Sequence, residues 1–269
     1  MASLSFAIVI PARYASTRYP GKPLVPLKGA SGTAKSLIQR SWECASSVPG
    51  CTGVWVATDD QRIADEVERF GGSVVMTSPD CANGTERCAD AIDRLGDIAD
   101  VIVNLQGDAP LSPTFVVDQL VARLSEDTSV VMATPAVRCS NSVLKHLLDD
   151  AAEGRVGGTT VVFDRSDRAL YFSKRILPYL PNGEQIKEPV PVHLHLGMYA
   201  YRPEALYAYR GSQPSDIEML EGLEQLRFLD MGFAVSIVRL EPLEWDSIEL
   251  NNPSDVAVIE RVLSQRGID

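Results

Sequence analysis

The stretch Pro11-Ala-Arg-Tyr-Ala-Ser-Thr-Arg-Tyr-Pro-Gly-Lys-Pro-Leu24 carries the clearest chemistry in the chain. It follows directly on the apolar run Phe6–Ile10 and sets Arg13, Arg18 and Lys22 among small residues. A guanidinium binds phosphate oxygens in pairs and an ammonium acts as a point charge, so such a loop suits a polyphosphate. Neither G-x-x-x-x-G-K-[ST] nor G-x-G-x-x-G occurs here, which sets aside P-loop kinases and nicotinamide dehydrogenases. A carboxylate, Asp108, closes the run Val103-Asn-Leu-Gln-Gly-Asp108. The end of a buried strand is a costly place for a charge unless it is paired or metal-bound, although a turn before Pro110 would also use Asp. Asn83-Gly-Thr-Glu-Arg87 offers a hydroxyl and a guanidinium to a ligand, or simply starts a helix with Thr85 as its N-cap.

Two further groups are ambiguous by spacing alone. His193, His195, Tyr199 and Tyr201 alternate as on one strand face, with Leu194, Leu196, Met198 and Ala200 on the other. No third ligand accompanies the two histidines, so zinc is not expected. Ser215-Asp-Ile-Glu218 has the form of a capping box, which gives Glu218 a structural reading, and Glu224-Gln225 falls on either a solvated helix face or a site.

The elements that must position these groups follow from hydrophobic patterning. Short β-branched apolar runs at Phe6–Ile10, Val54–Ala57, Ser73–Met76, Val101–Leu105 and Val130–Ala133 read as strands buried on both faces. Helical patterns at Ala34–Ala45, Gln61–Phe70, Thr85–Leu95 and Thr114–Leu124 separate them. The alternation predicts an α/β fold with a doubly wound, mostly parallel sheet, whose ligands gather beyond the strands' carboxyl ends. The rhythm breaks after Ala133. Residues 138–158 are polar, and strand-like segments follow at Thr159–Phe163, Ala169–Phe172 and Val192–Tyr201, with a Pro/Gly-rich loop at Pro178–Pro191. Residues 134–203 therefore read as an antiparallel insertion lobe within one domain spanning 1–269. A helix over Ser215–Leu229, a strand at Ala234–Val238 and a last helix from Pro253 to Gly267 complete the reading.

Composition narrows the class. The 269 residues carry a net charge of −11, which argues against binding a nucleic-acid duplex. Charge is uneven, however. Residues 1–42 hold Arg13, Arg18, Lys22, Lys28, Lys35 and Arg40 and no Asp or Glu, and this basic patch on an acidic protein suits a small polyanion. No apolar run approaches the ~20 residues of a bilayer span, and Met1–Ile10 lacks a basic n-region, so it reads as a first strand rather than a signal peptide. Five cysteines without a C-x-x-C pair fit small buried hydrophobes in a reducing cytosol, and a cytoplasmic protein is expected.

Taken together, these strings resemble the CMP-Kdo synthetases, the 3-deoxy-manno-octulosonate cytidylyltransferases. Arg13-Tyr-Ala-Ser-Thr-Arg-Tyr-Pro-Gly-Lys-Pro-Leu24 is similar to the family's R-Y-A-S-T-R-x-P-G-K-P-L. Ala57-Thr-Asp59, Asn83–Arg87, Val103–Asp108, Ala169-Leu-Tyr-Phe-Ser173, His195–Arg202 and Glu218–Arg227 follow in the family's order, so the resemblance covers about Phe6 to Leu263. It implies that the anomeric hydroxyl of a 2-keto-3-deoxy sugar acid attacks the α-phosphate of CTP, releasing pyrophosphate and forming a CMP-sugar for lipopolysaccharide or surface-polysaccharide synthesis. It implies Ala12, Arg13, Arg18, Lys22, Asn83, Gly84, Thr85, Arg87 and Gln106 at the nucleotide, with Arg13, Arg18, Lys22 and Asp108 as the catalytic set. Gln106, Lys174, His195, Tyr199, Glu224 and Gln225 would meet the sugar, and Asp108 and Asn251 would hold Mg²⁺. A homodimer built on the insertion lobe is implied as well.

The chain also departs from that pattern. Asn251 stands where the family's late D-T-P-E-D-L motif has a metal-ligating Asp, with Asp246 and Glu249 near enough in sequence to compensate. Ala109 replaces the acid of Q-G-D-E-P, Lys174 replaces an Arg, and Thr160 replaces a Lys. Lys cannot match the paired hydrogen bonds of Arg to a carboxylate. The changes fall on the sugar and metal side, which points to an acid sugar other than ordinary Kdo: a modified octulosonate or a nonulosonate. Rival readings are a sugar-1-phosphate nucleotidyltransferase, whose Gly-rich loop is missing here, and a non-catalytic sugar or nucleotide binder.

Overall fold

The structure is a computed structural model that describes residues 4–16, 19–181, 189–245 and 247–269. The apolar run at the start forms β1 (Phe6–Pro11), buried along its whole length. A short hairpin follows, β2 (Pro26–Lys28) with β3 (Ala34–Ser36), and leads into α1 (Leu37–Ser46). The first helix thus starts three residues later than its sequence pattern suggests. The Ser36 side chain caps it by accepting from Gln39 N at 3.3 Å, and Ala34–Ser36 pairs as strand instead. Next come β4 (Val54–Thr58), α2 (Gln61–Arg69), β5 (Ser73–Met76), α3 (Gly84–Leu95), β6 (Val101–Leu105) and α4 (Phe115–Glu126).

The second half of the chain comprises β7 (Met132–Arg138), α5 (Asn141–Ala152), β8 (Thr160–Phe163), β9 (Ala169–Ser173), β10 (His193–His195) and β11 (Met198–Tyr201). It ends with α6 (Pro203–Gly211), α7 (Asp216–Glu221), α8 (Gln225–Asp230), β12 (Val235–Leu240) and α9 (Asp255–Gln265).

Apart from the β2–β3 hairpin, the described strands form one ten-stranded sheet in the order β5-β4-β1-β6-β11-β7-β10-β8-β9, with β12 on the other edge of β7. The β5-β4-β1-β6 half is parallel, as is β7 with β12. From β6 outward the neighbours β11, β7, β10, β8 and β9 pair antiparallel, so the antiparallel strands of the 134–203 segment continue the central sheet. Side-chain alternation sends Ala7, Val9 and Ile102 to one face, where α3, α6 and α8 cover them. Ile8, Ile10, Val101 and Val103 go to the other, under α1, α2 and α4. That two-sided cover is why β1 reads as a continuous apolar run.

Several elements differ from the sequence reading. Polar residues 138–158 conceal α5, capped by Ser140 and buried only through Leu144, Leu147 and Asp150. α6 was unread; Pro203 starts it and Tyr209 anchors it. The single strand expected at Val192–Tyr201 is two, β10 and β11, separated by Leu196 and Gly197. The single helix expected at Ser215–Leu229 is also two, because Gly222 adopts φ 62° and terminates α7. The last helix begins at Asp255, two residues after Pro253. No described helix is long and apolar enough to cross a membrane.

Candidate active site

A cleft of about 620 Å³ opens beyond the carboxyl ends of β1 and β6, where a doubly wound sheet gathers ligands. One wall is the loop after β1. Ala12 extends the β1–β4 ladder by donating to Ala57 O at 2.9 Å, and Arg13 stands exposed on the rim. Arg18 falls outside the described residues, and so does Asp246. Lys22 begins a single 3₁₀ turn whose preceding residue, Gly21, has φ 71°. Its ammonium forms an ion pair with the Asp108 carboxylate and donates to Leu250 O at 3.2 Å. Asp108 in turn accepts the Leu250 N–H at its backbone oxygen, 2.8 Å. Gln106 and Ala109 close a turn here by a 3.1 Å backbone bond, so the turn and the site share Asp108.

The N-terminus of α3 forms the floor. Asn83, not Thr85, is the N-cap: its Oδ1 accepts from Glu86 N at 2.8 Å. Asn83 Nδ2 donates to the Tyr209 hydroxyl at 3.0 Å. Gly84 and Arg87 line the cleft, and the Arg87 guanidinium is held by Thr77 Oγ1 at 2.6 Å and Asp59 at 3.0 Å. Thr85 is fully buried, bonded through its hydroxyl to the Tyr201 hydroxyl at 2.9 Å. Its N–H donates to Glu224 Oε2 at 2.9 Å, so Thr85 holds a cleft residue rather than lining the cleft itself.

The opposite wall is the break between α7 and α8. Glu224 and Gln225 sit there and face the cleft. Burial pushes the Glu224 carboxyl above its ordinary range, against the Thr85 N–H that stabilises its anion. The Tyr199 hydroxyl donates to Gln225 Oε1 at 3.2 Å, and burial pushes the Tyr199 phenol well up, so it stays a hydroxyl. His195 does not line the cleft. Its ring lies 5.3 Å from that of Tyr199, and its Nε2 is 2.8 Å from Thr134 Oγ1. Thr134 gives its one hydrogen to Met198 O at 2.7 Å, so His195 Nε2 is the donor. Burial pulls the His195 pKa down to about 3, and the ring is neutral.

Lys174 is placed differently from Tyr199 and Glu224. It lines a second cleft of about 510 Å³ behind α7, and its backbone N–H donates to Glu221 Oε2 at 3.0 Å. Two residues that the sequence gave no role organise the wall. Arg227, 2% exposed, donates to both oxygens of Glu218 at 2.6 and 2.7 Å and to Glu86 at 3.1 Å. It also lies 3.9 Å over the Tyr209 ring, and the Tyr209 hydroxyl donates to Glu218 at 3.0 Å. Glu218 closes the capping box of α7 as read from sequence and carries this second load. Only a signal outside the helical spacing could have paired Glu218 with Arg227, because Gly222 breaks the helix between them.

Asp108, Glu249 and Asn251 bring oxygen donors to the mouth of the cleft. Among the described residues no three His, Cys, Asp or Glu side chains group to hold a metal unaided. Mg²⁺ characteristically takes one or two carboxylates and completes its shell with substrate phosphates and water, so these donors fit it beside a triphosphate. The Asn251 backbone N–H donates to Asp255 Oδ2 at 2.9 Å, which ties this segment to the first residue of α9.

Comparison with known proteins bears on the chain as a whole. A family model described as "Cytidylyltransferase" matches residues 7–237. A 3-deoxy-manno-octulosonate cytidylyltransferase from Maricaulis maris is 41% identical over 98% of this chain and 99% of its own. One of the same description from Chlamydia felis is 41% identical over 95% of this chain and 92% of its own. Among solved structures, CMP:2-keto-3-deoxy-manno-octonic acid synthetase complexed with CTP superposes with a TM-score of 0.82 at 32% identity, covering 97% of this chain and 99% of that one. A cytidylyltransferase from Leptospira borgpetersenii, at 17% identity and a TM-score of 0.60, shares the fold. A cleft with a cationic loop facing a carboxylate, and these likenesses over nearly the whole length, make this chain a member of the cytidylyltransferase family.

Proposed function

We propose that this protein transfers the cytidylyl group of CTP to the anomeric hydroxyl of a 2-keto-3-deoxy sugar acid, an octulosonate or a close analogue. The observation that carries the reading is the division of one cleft into two chemistries. Arg13 and the Lys22–Asp108 pair stand on one side, and Tyr199, Glu224 and Gln225 on the other. The first suits a triphosphate and the second a polyhydroxylated acid. In the reaction the hydroxyl oxygen bonds to the α-phosphorus as the α–β anhydride bond breaks. Pyrophosphate leaves with the electron pair, and the hydroxyl proton passes to solvent. Such transfer depends on positioning and charge neutralisation more than on covalent actors. Lys22 and Arg13 would hold the phosphates, Asn83, Gly84 and Arg87 the nucleoside, and Gln106, Tyr199, Glu224 and Gln225 the acid. Asp108, with Asn251, would hold Mg²⁺, which when bound neutralises phosphate charge.

An amide at position 251 favours an acid other than ordinary Kdo, while Lys174, in the second cleft, no longer bears on that choice. The test is pyrophosphate release with CTP and Mg²⁺ across Kdo, 8-amino-Kdo, Kdn, N-acetylneuraminate and 2-keto-3-deoxyhexonate. One strong substrate is the expected result, and Kdo alone at full efficiency would remove the specificity argument. Silence on every acid with CTP bound would favour a non-catalytic binder.

A further inference from the structure

Arg62 stands exposed on the first turn of α2, where its charge opposes the positive end of the helix dipole. Asp60, the N-cap of α2, holds it there. Its carboxylate accepts from Arg62 Nε at 2.9 Å and from Nη2 at 2.6 Å, besides taking the Arg62 backbone N–H at 3.0 Å. The guanidinium so fixed lies 3.3 Å over the centre of the Tyr14 ring. A planar cation on an aromatic face is attracted by the negative charge of that face. Tyr14 belongs to the loop after β1, so the start of α2 reaches across to the cationic wall of the cleft.

The phenol end of the same ring packs on Gly21. A methyl group added at Gly21 would come within 3.0 Å of Tyr14 Cζ and Oη and 3.2 Å of Cε2, so the ring fills the space a side chain would need. The Gly21 N–H also donates to Tyr14 O at 2.9 Å, which fastens the two residues through the backbone as well. Gly21 precedes the 3₁₀ turn that begins with Lys22, and α2 packs against that turn. A continuous set of contacts therefore runs from Asp60 through Arg62, Tyr14 and Gly21 to Lys22. Asp59, one residue earlier, binds Arg87 at 3.0 Å, so the two acids that follow β4 brace cations on two sides of the cleft. We propose that Arg62 and Tyr14 are positioning residues for Lys22, a clasp that fixes the turn from which its ammonium meets the triphosphate. Neither side chain lines the cleft, so both act through Lys22 and not on the nucleotide. The assignment rests on the cytidylyltransferase reading given above.

Three substitutions probe the clasp. Arg62→Met removes the cation at an exposed position, Tyr14→Leu removes the ring, and Tyr14→Phe keeps it. A cation–π contact at an exposed site corresponds to about a two- to fivefold change in an equilibrium constant. Isothermal titration with CTP and Mg²⁺ should show that loss of affinity in Arg62→Met and Tyr14→Leu, and parent-like affinity in Tyr14→Phe. KM for the acid, from pyrophosphate release, should not rise, and Arg62→Met should melt within about 2 °C of the parent. A double-mutant cycle separates positioning from general support. With Lys22 already replaced by Met, Arg62→Met should lower CTP affinity no further, because the residue it positions is gone. A merely structural residue would lower affinity equally in both backgrounds; that result, or an unchanged affinity in Arg62→Met alone, overturns the assignment. If Tyr14→Leu does not fold, Arg62→Met and its cycle decide alone. A parent that binds no CTP overturns the cytidylyltransferase reading and the clasp with it, an outcome distinct from a CTP-binding parent with indifferent variants, which overturns the clasp only.

Discussion

Lys22 joins three segments that are far apart in sequence: its own loop, Asp108 after β6, and Leu250 near α9. Both partners of the ion pair are mostly shielded from water, so the pair is worth more than an open surface contact. Lys22→Met is expected to lower kcat/KM for CTP about 10- to 100-fold, the range for losing a charge-assisted bond to phosphate. Initial-rate kinetics would check this, and an unchanged constant would remove Lys22 from the triphosphate. Glu224 makes a prediction about pH. Its carboxyl pKa is raised in the fold by burial, so the folded protein holds that proton more tightly than the unfolded chain does. The carboxylate therefore costs stability at neutral pH, and the cost disappears as pH falls through the raised pKa toward the ordinary 4.5. Glu224→Gln keeps an acceptor for the Thr85 N–H and is expected to melt above the parent at pH 7.5. The gap should close on acidification, and a gap that stays constant to pH 4.5 would count against the raised pKa.

At the level of elements, α7 and α8 form one wall only because Gly222 interrupts them and Arg227 ties them back together. Arg227 bonds Glu218 across the break, reaches Glu86 on α3, and stacks on Tyr209 from α6. Arg227→Met leaves Glu218 buried without its cation and is expected to cost about 3–5 kcal/mol by urea denaturation. Removing both charges together, as Glu218→Leu with Arg227→Met, should recover a large part of that loss. These elements also mark where sequence reading reached its limit. β1, β4, β5 and β6 were legible because burial on both faces leaves uninterrupted apolar runs. α5 was not, since only Leu144, Leu147 and Asp150 of its twelve residues are buried, too few to mark a helical stripe. The break at Gly222 escaped because apolar residues at Ile217, Leu223 and Leu226 keep a helical rhythm across it. The first loop and Asp108 stood out from residue types as candidates for phosphate and cation, and the structure brings Lys22 and Asp108 together. The inward turn of Glu224 and the burial of Thr85 depend on packing between α3 and α8, which no local pattern encodes.

Over the whole molecule, the ledger of exposed apolar side chains is uneven. Leu220 on α7 is 86% exposed, and Tyr179 and Leu170 in the 134–203 segment are 79% and 61% exposed. Where such groups adjoin, they form the kind of apolar patch that marks an association surface. We propose that a second copy of this chain covers them. Light scattering should give twice the 29.3 kDa chain mass, and Leu220→Glu should shift it toward one chain. A parent that scatters as a single chain would end the dimer proposal.

The contact between Asp108 and Leu250 has a consequence for what a shortened chain could do. All twelve strands of the described residues lie before residue 241, so a chain cut there contains every one of them. The mouth of its cleft is left open, because Leu250, Asn251 and the start of α9 are gone. The sheet can therefore be complete while that side of the cleft is not. The Lys22–Asp108 pair gains its backbone partners only when the last tenth of the chain folds back across it. A chain truncated after residue 240 should hold its hydrophobic layers and bind CTP poorly, which makes nucleotide affinity a readout of the final segment alone.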